Sequence, residues 1–141
     1  MKINLGKEEL RYISLFEELT GVTPRDVVKT GDDIYTFVVD EEDMGKAIGK
    51  SGKNIRKVKN KINKNVNVVE YSEDPEKFLE NIFSTVEVES IEIKEDNDEK
   101  EAVIKVKDSE KGRAVGRNGW NIERARKLSD RHHGLSRVRF A

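Results

Sequence analysis

Two glycine-rich tetrapeptides have the residue types and spacing to hold phosphates, Gly49-Lys50-Ser51-Gly52 and Gly116-Arg117-Asn118-Gly119. Glycine at both ends lets a sugar-phosphate backbone approach closely, and it suits a sharp turn with positive φ. If a helix begins directly after each tetrapeptide, its first backbone amides and its dipole favour an anion. The basic residue at the second position adds charge for neighbouring phosphates. The pattern predicts two loops that hold a nucleic acid backbone.

Residues 45–51 superficially resemble the phosphate-binding loop of nucleotide hydrolases, because they end in Gly-Lys-Ser. That motif has four residues between its glycines, whereas this chain has three, and Met44 stands where the first glycine belongs. The second copy, Gly116-Arg117-Asn118, lacks the lysine and the hydroxyl that would hold phosphate and Mg²⁺. We therefore predict that the protein is not an enzyme.

Asp130, His132 and His133 are the candidates for metal ligands. Adjacent histidines do not share a helix face, and the chain has no cysteine to complete a zinc site. We predict no metal and no cofactor, and we interpret the histidines as cations near a helix C-terminus or beside a nucleic acid.

Basic residues are concentrated around both tetrapeptides. Residues 44–64 contain eight basic residues and no acidic one, and residues 111–139 contain nine, with Glu123 and Asp130 as the acids. The net charge is −1, so the remaining segments are acidic. Either run alone is typical of a solvated face, but recurrence at both loops favours a nucleic acid ligand. For the acidic stretch 70–101, a solvated back face, an element that orients RNA and a surface for a basic protein all remain open.

The chain repeats itself at a distance of 67 residues. A gapless alignment places residues 45–55 on residues 112–122, and Asn54 and Asn121 are among the identical pairs. Because such repeats indicate repeated structural units, we predict two homologous domains, 1–73 and 74–141. The link at 71–74 is too short for a flexible tether, so we expect a rigid tandem.

The two halves show the same order of predicted elements. Apolar spacing predicts helices over 8–19 and 75–85, and Asp74-Pro75 is typical of a helix start. Alternation predicts strands over 26–29, 34–40, 86–94 and 101–107, with turns at 30–33 and 95–100. Helices at 53–62 and 120–131 and strands at 65–71 and 135–140 complete each half. The predicted fold is α+β, each domain α-β-β-α-α-β with a three-stranded sheet packed against helices.

Base recognition requires a groove beside each loop, where an apolar floor receives unstacked bases. Ile48, Ile55, Val115 and Ile122 are candidates for that floor, although aliphatic residues at these spacings are also typical of ordinary core. Trp120 could stack on a base or pack between the domains. The predicted RNA-binding residues are Gly49, Lys50, Ser51, Gly52, Lys53, Arg56, Gly116, Arg117, Asn118, Gly119 and Trp120.

The absence of cysteine favours a reducing compartment, and no apolar stretch approaches the roughly 20 residues that cross a bilayer. We therefore expect a cytoplasmic protein, without a membrane segment, that is a monomer.

Each half resembles the type II K-homology (KH) domain, in which a Gly-x-x-Gly loop joins the two later helices. The tandem covers essentially the whole chain and resembles the KH pair of the NusA family of transcription termination and antitermination factors, in its short archaeal form. The resemblance implies binding of single-stranded RNA across both domains, with the transcription machinery as a partner. Bacterial members carry an N-terminal polymerase-binding domain and an S1 domain that have no counterpart here, so direct polymerase contact stays open.

Two other interpretations are compatible with these residues. A ribosome-associated or RNA-processing KH protein would bind RNA in the same way and differ in its destination. A protein-interaction scaffold would have lost RNA binding in one or both KH units, and the intact glycines and basic residues of both loops argue against it.

Overall fold

The computed structural model describes residues 5–31 and 33–141. These residues form two compact units, divided between Tyr71 and Ser72, and each unit has its own three-stranded sheet. The predicted α+β class is confirmed, while the domain limits 1–73 and 74–141 stay a prediction. Among the described residues, no helix has the length and apolar character needed to span a membrane.

The first unit has the predicted order α-β-β-α-α-β. Strand β2 is central, antiparallel to β1 and parallel to β3, and the parallel pair is joined by the crossover helices. The elements are α1 (Lys7–Thr20), β1 (Asp26–Thr30), β2 (Ile34–Val39), α2 (Met44–Ile48), α3 (Lys53–Ile62) and β3 (Asn65–Glu70). The predicted turn at 30–33 includes Asp32, which lies outside the described residues.

Aromatic packing fixes α1 against the sheet of the first unit. Tyr12 and Phe16 lie one turn apart and are both buried. The Phe16 ring stacks on Phe37 with centroids 4.4 Å apart, and Tyr12 meets Tyr35 edge-on at 4.8 Å. Val58 of α3 joins the same core, so the helix that follows the first loop is anchored to the sheet.

The second unit repeats the order. Strand β5 is antiparallel to β4 and parallel to β6. The elements are α4 (Pro75–Ile82), β4 (Val88–Asp96), β5 (Glu99–Val106), α5 (Lys111–Val115), α6 (Trp120–His133) and β6 (Leu135–Phe140). The Asp74 carboxylate accepts a hydrogen bond from the Glu76 amide at 3.1 Å, which confirms the predicted start of α4.

The hairpin of the second unit is longer than predicted. Its turn is the pair Asn97–Asp98, and both residues have positive φ (50° and 67°). Two such residues form the tight turn that matches the twist of paired strands. The predicted six-residue turn at 95–100 is therefore wrong, because the charged residues on either side of the pair belong to the strands.

Helix α4 is shorter than predicted and α6 is longer. The predicted end of α4 at residue 85 is wrong, because Phe83 leaves helical geometry at φ −96°, ψ 27°. Helix α6 has 14 residues against 10 in α3, and Gly134 ends it in a left-handed conformation. The extra turn brings His132 and His133 onto the Phe78 ring of α4, with centroids 5.7 and 5.3 Å away.

His133 holds the start of the second unit to the end of α6. Its Nε2 donates to the Ser72 carbonyl at 2.8 Å, and burial lowers the pKa of its ring. Burial therefore favours the uncharged ring, which argues against the interpretation of His133 as a cation at a helix end.

Candidate nucleic-acid interface

Both loops have the same backbone conformation at the first glycine. Gly49 lies at φ 77°, ψ 170° and Gly116 at φ 82°, ψ 161°, a region essentially restricted to glycine. A Cβ on Gly49 would lie 2.8 Å from the backbone nitrogen of Asn54, and a Cβ on Gly116 would lie 2.7 Å from Trp120 Nε1. The conformation of the loop therefore requires the first glycine.

Hydrogen bonds inside each loop use amides that were expected to face a ligand. In the first loop, the Gly52 amide donates to the Gly49 carbonyl at 3.1 Å and the Lys53 amide donates to the Lys50 carbonyl. The second loop has the same two bonds. The expectation that consecutive amides at the helix start are open to a phosphate is therefore wrong for these two positions.

An asparagine braces each loop from the start of the following helix. Asn54 Nδ2 donates to the Lys46 carbonyl at 2.7 Å, and Asn121 Nδ2 donates to the Ala114 carbonyl at 2.9 Å. Each bond ties the helix after the loop to the helix before it. The sequence signal for this bracing role was that asparagine occurs at both positions, 67 residues apart.

The tip of the first loop exposes its polar side chains. Lys50, Ser51 and Lys53 are exposed around the half-buried Gly52. Arg56 is also exposed, and its Nη1 donates to the Ser51 carbonyl at 2.6 Å. The structure therefore brings the predicted residues of the first loop together, with Arg56 supporting the tip.

The second loop exposes Arg117 and Asn118 at the corresponding positions. Trp120 is half-buried within its own unit, where its indole lies against Gly116 and the Arg124 guanidinium carbon is 4.8 Å from its ring centre. Such a cation–π contact stabilises both groups. Trp120 therefore covers the base of the loop, while Arg117 and Asn118 form its tip.

Arg124 is buried, although its position in a basic run suggested a surface residue. It is 7% exposed, and its Nη2 donates to the Ile82 carbonyl and to Asn121 Oδ1, each at 2.7 Å. Burial lowers its pKa to about 10, so it remains charged at neutral pH. Arg124 connects α4 to the asparagine that braces the second loop, and it is not part of the basic surface.

The two basic runs also differ in their ion pairs. In residues 44–64, Lys64 pairs with Asp33 at 3.2 Å, and no carboxylate among the described residues pairs with the other basic side chains of that run. In residues 111–139, at least five cations have carboxylate partners: Lys111 with Asp108, Arg113 with Glu110, Lys127 with Glu123, and Arg137 and Arg139 with Glu101. The first run is thus the less neutralised surface.

The four residues predicted as a groove floor do not share one environment. Ile122 is 7% exposed and belongs to the core, whereas Ile48 is 37% exposed beside the first loop. Ile55 is half-buried against the first core, and Val115 is half-buried before the second loop. Of the four, Ile48 has the most surface open to a ligand.

A groove of about 650 Å³ runs between α6 and β6. Strand β6 is an edge strand, because it pairs with β5 alone among the described strands. The residues lining the groove were not predicted, and they are Arg126, Lys127, Asp130, Leu135, Ser136, Arg137, Val138 and Arg139. Alternation of arginine and apolar residues in 135–140 was the available sequence signal.

A more polar groove of about 520 Å³ lies at the C-terminal end of α3 in the first unit, where β3 begins. Lys59, Asn63 and Lys64 line it together with Asp33, Asn60 and Asn65. The two grooves therefore lie at different places in their units, and the predicted floor residues line neither.

Family models match both halves of the chain. A model of the KH domain matches residues 10–97, and a model of the NusA-like second KH domain matches residues 75–137. The solved crystal structure of the protein APE1850 superimposes with a TM-score of 0.80 at 39% sequence identity, covering 97% of this chain and all of that one.

Relatives named "Probable transcription termination protein NusA" align over nearly the full chain. The protein from Methanococcus vannielii is 34% identical over 139 residues, which is 99% of this chain and 80% of the relative. The protein from Halococcus morrhuae is 33% identical over 141 residues, the full length of both. With KH units in both halves and this coverage, the chain belongs to the family of archaeal NusA-like transcription termination proteins.

Proposed function

We propose that this chain is a non-enzymatic factor that binds single-stranded RNA and acts in transcription termination or antitermination. The observation that carries the proposal is the recurrence, in both units, of one glycine-dependent loop with exposed polar side chains at its tip. A KH loop of this kind clamps about four nucleotides of backbone. The names of the NusA relatives support the transcriptional role.

In this proposal, backbone contact comes from the loop tips. Lys50 and Arg117 supply positive charge to phosphates, and the Ser51 hydroxyl and Asn118 amide donate hydrogen bonds to phosphate oxygens. The second glycine of each loop leaves room for the sugar-phosphate chain. Lys53 adds charge directly beside the first tip.

In this proposal, bases contact the α6–β6 groove of the second unit and the exposed Ile48 before the first loop. Leu135 and Val138 offer apolar surface in the α6–β6 groove, and the surrounding arginines can stack on bases or hydrogen-bond to their edges. Ile48 can contact a base at the first loop because of its exposure. Ile122 is reassigned to the core, and Trp120 acts by supporting the loop.

Two modules on one chain raise affinity through effective concentration. The proposed form is a cytoplasmic monomer that holds one RNA strand with both loops and works alongside the transcription machinery.

The loops can be tested separately with acidic substitutions. We expect Lys50→Asp/Ser51→Asp and Arg117→Asp/Asn118→Asp each to weaken binding of a fluorescent single-stranded RNA by about tenfold or more, because repulsion replaces charge-assisted bonds. Ser51 and Asn118 have positive φ, which aspartate tolerates, so the fold should survive. Binding is measured by titration, and folding is checked by circular dichroism.

A matched control changes the charge equally away from the loops. Lys77→Asp/Ser84→Asp alters exposed residues in and after α4, and it should keep wild-type affinity. The clamp would be contradicted if both loop variants kept wild-type affinity for RNA, or if the control lost as much affinity as they do. The transcriptional role is tested by crosslinking in cells: recovery with ribosomal particles in place of RNA polymerase would favour the alternative destination.

A further inference from the structure

Three lysines form an exposed stripe on α3 that continues from the first loop. Lys53, Lys57 and Lys61 are four residues apart, so they share one face of the helix, and all three are exposed. No described carboxylate pairs with any of them. We call Lys53, Lys57 and Lys61 the lysine stripe.

The lysine stripe does not line the groove at the end of α3. Lys59 and Asn60 are the residues of α3 that line this groove, and Val58 and Ile62 face the core. On a helix with 3.6 residues per turn, Lys57 projects from the side opposite Lys59 and about 60° from Asn60. The stripe is therefore formed by side chains outside the groove.

The corresponding side of α6 is covered. At the repeat distance of 67 residues, Lys53, Lys57 and Lys61 correspond to Trp120, Arg124 and Leu128. Trp120 packs on its own loop, Arg124 donates to the Ile82 carbonyl of α4, and Leu128 is fully buried. One helix side has thus become core in the second unit and an open cationic surface in the first.

The lysine stripe is electrostatically unfavourable in the free protein. Like charges at a spacing of four residues destabilise a helix, and a cation in the first turn opposes the helix dipole. Helices α1, α4 and α6 all have glutamate in their first turn, whereas α3 has no acidic residue there. A polyanion bound along the stripe would reduce both the repulsion between the lysines and their unfavourable interaction with the helix dipole.

From this geometry we propose that the lysine stripe binds the phosphates of single-stranded RNA that extends beyond the first loop. The proposal rests on the proposed RNA-binding function and adds a contact outside the loop and the groove. Lys57 and Lys61 lie about 6 and 12 Å along the helix axis from Lys53, a distance that spans about two nucleotides of extended strand. Charge complementarity selects RNA as the occupant, since the stripe offers cations without an apolar surface.

The test compares two RNA lengths with a variant that leaves the loop intact. Lys57→Ala/Lys61→Ala should bind an RNA of about eight nucleotides, the number that two loops clamp, within twofold of wild type. For an RNA of about sixteen nucleotides, the slope of log affinity against log salt should decrease in magnitude by about 1.4, which corresponds to two phosphates. Affinity for that RNA at 0.1 M salt should fall on the order of tenfold.

Lys105→Ala/Lys107→Ala is the matched control, because it removes two exposed lysines that pair with Glu89 and Glu87. It should leave the salt slope for the longer RNA unchanged. Alanine is a better helix residue than lysine, so the unfolding midpoint of Lys57→Ala/Lys61→Ala should not fall below that of wild type.

The outcomes separate this inference from the proposed function. If wild type binds neither RNA, the proposed function fails and the lysine stripe has no RNA to bind. If wild type binds through its loops and the stripe variant keeps the wild-type slope on the longer RNA, the inference alone is overturned. It is also overturned if the control loses as much affinity, or if the variant keeps RNA binding and loses binding to an acidic protein.

Discussion

Arg124 shows how equivalent positions in two copies of a fold can have opposite environments. Its counterpart in the first unit, Lys57, is an exposed cation, whereas Arg124 is enclosed between α4 and the second loop. Its hydrogen bonds to the Ile82 carbonyl and to Asn121 Oδ1 satisfy the last turn of α4 and the bracing asparagine. An isolated buried charge is strongly disfavoured, so these bonds are needed for it to remain there.

We expect Arg124→Met to destabilise the second unit by about 1–3 kcal/mol, because the Ile82 carbonyl and Asn121 Oδ1 lose their donor inside the protein. The measurement is chemical unfolding followed by the fluorescence of Trp120, the single tryptophan of the chain. Lys57→Met is the control, and it should leave the stability of the first unit within about 0.5 kcal/mol of wild type. Equal unfolding midpoints for Arg124→Met and wild type would show that the buried network does not stabilise the unit.

At the level of the elements, the two glycines of each loop have different backbone conformations and therefore different tolerance to substitution. Gly49 occupies a backbone region that only glycine adopts readily, and a Cβ there meets backbone. Gly52 lies at φ 75°, ψ 16°, a left-handed conformation that asparagine also adopts, and a Cβ there meets the flexible end of Arg56 at 3.2 Å. The first glycine is therefore needed for the fold, whereas the second is needed only for access to RNA in the proposed clamp.

This difference predicts opposite phenotypes. Gly49→Ala should reduce the stability of the first unit by about 1–3 kcal/mol, from backbone strain and the clash with Asn54. Gly52→Asn should remain folded within about 1 kcal/mol and still bind RNA several times more weakly, because its side chain stands where the backbone must approach. Thermal unfolding and RNA titration of both variants test the pair, and wild-type binding by a folded Gly52→Asn would contradict the role of the second glycine.

The elements also show what the sequence could predict. Alternation in β2 and β5, helical spacing in α1, and the repeated loop were sufficient for the order of elements and the position of both loops. The ends were harder, because Phe83 continues the apolar spacing of α4 without being helical, and Asn97 and Asp98 make a tight turn inside a charged segment. Arg124 was counted in a basic run that is typical of a surface, and Ile122 was left open between a groove floor and the core, because burial depends on which helix covers them.

At the scale of the whole molecule, the near-zero net charge conceals a difference between the units. Glu101 pairs with both Arg137 and Arg139, so part of the basic run in the second unit is neutralised by a carboxylate of the same unit. The first unit keeps the lysine stripe and Lys50 without such partners among the described residues. The repeat conserves the loops, while the charge available to RNA is unequal.

The units can be followed separately in one sample, since Trp120 reports the second unit and the tyrosines at 12, 35 and 71 report the first. Burial lowers the pKa of His133, so between its unfolded and folded pKa values the unfolded chain binds more protons. This contribution to stability is complete above the unfolded value of 6.5 and is lost as pH falls below it. Glu8 and Asp33 of the first unit also have lowered pKa values, from 4.5 and 3.8, so their contributions are lost only in more acidic solution.

We therefore expect the thermal midpoint reported by Trp120 to decrease between pH 7.5 and pH 5.5, with a smaller change in the tyrosine signal. His133→Gln keeps a donor for the Ser72 carbonyl and removes the titrating ring, so its Trp120 midpoint should depend less on pH. The measurement is fluorescence-detected melting at several pH values between these limits. An equal pH dependence in wild type and His133→Gln would exclude His133 as the source, and a fall confined to the tyrosine signal would assign the sensitivity to the first unit.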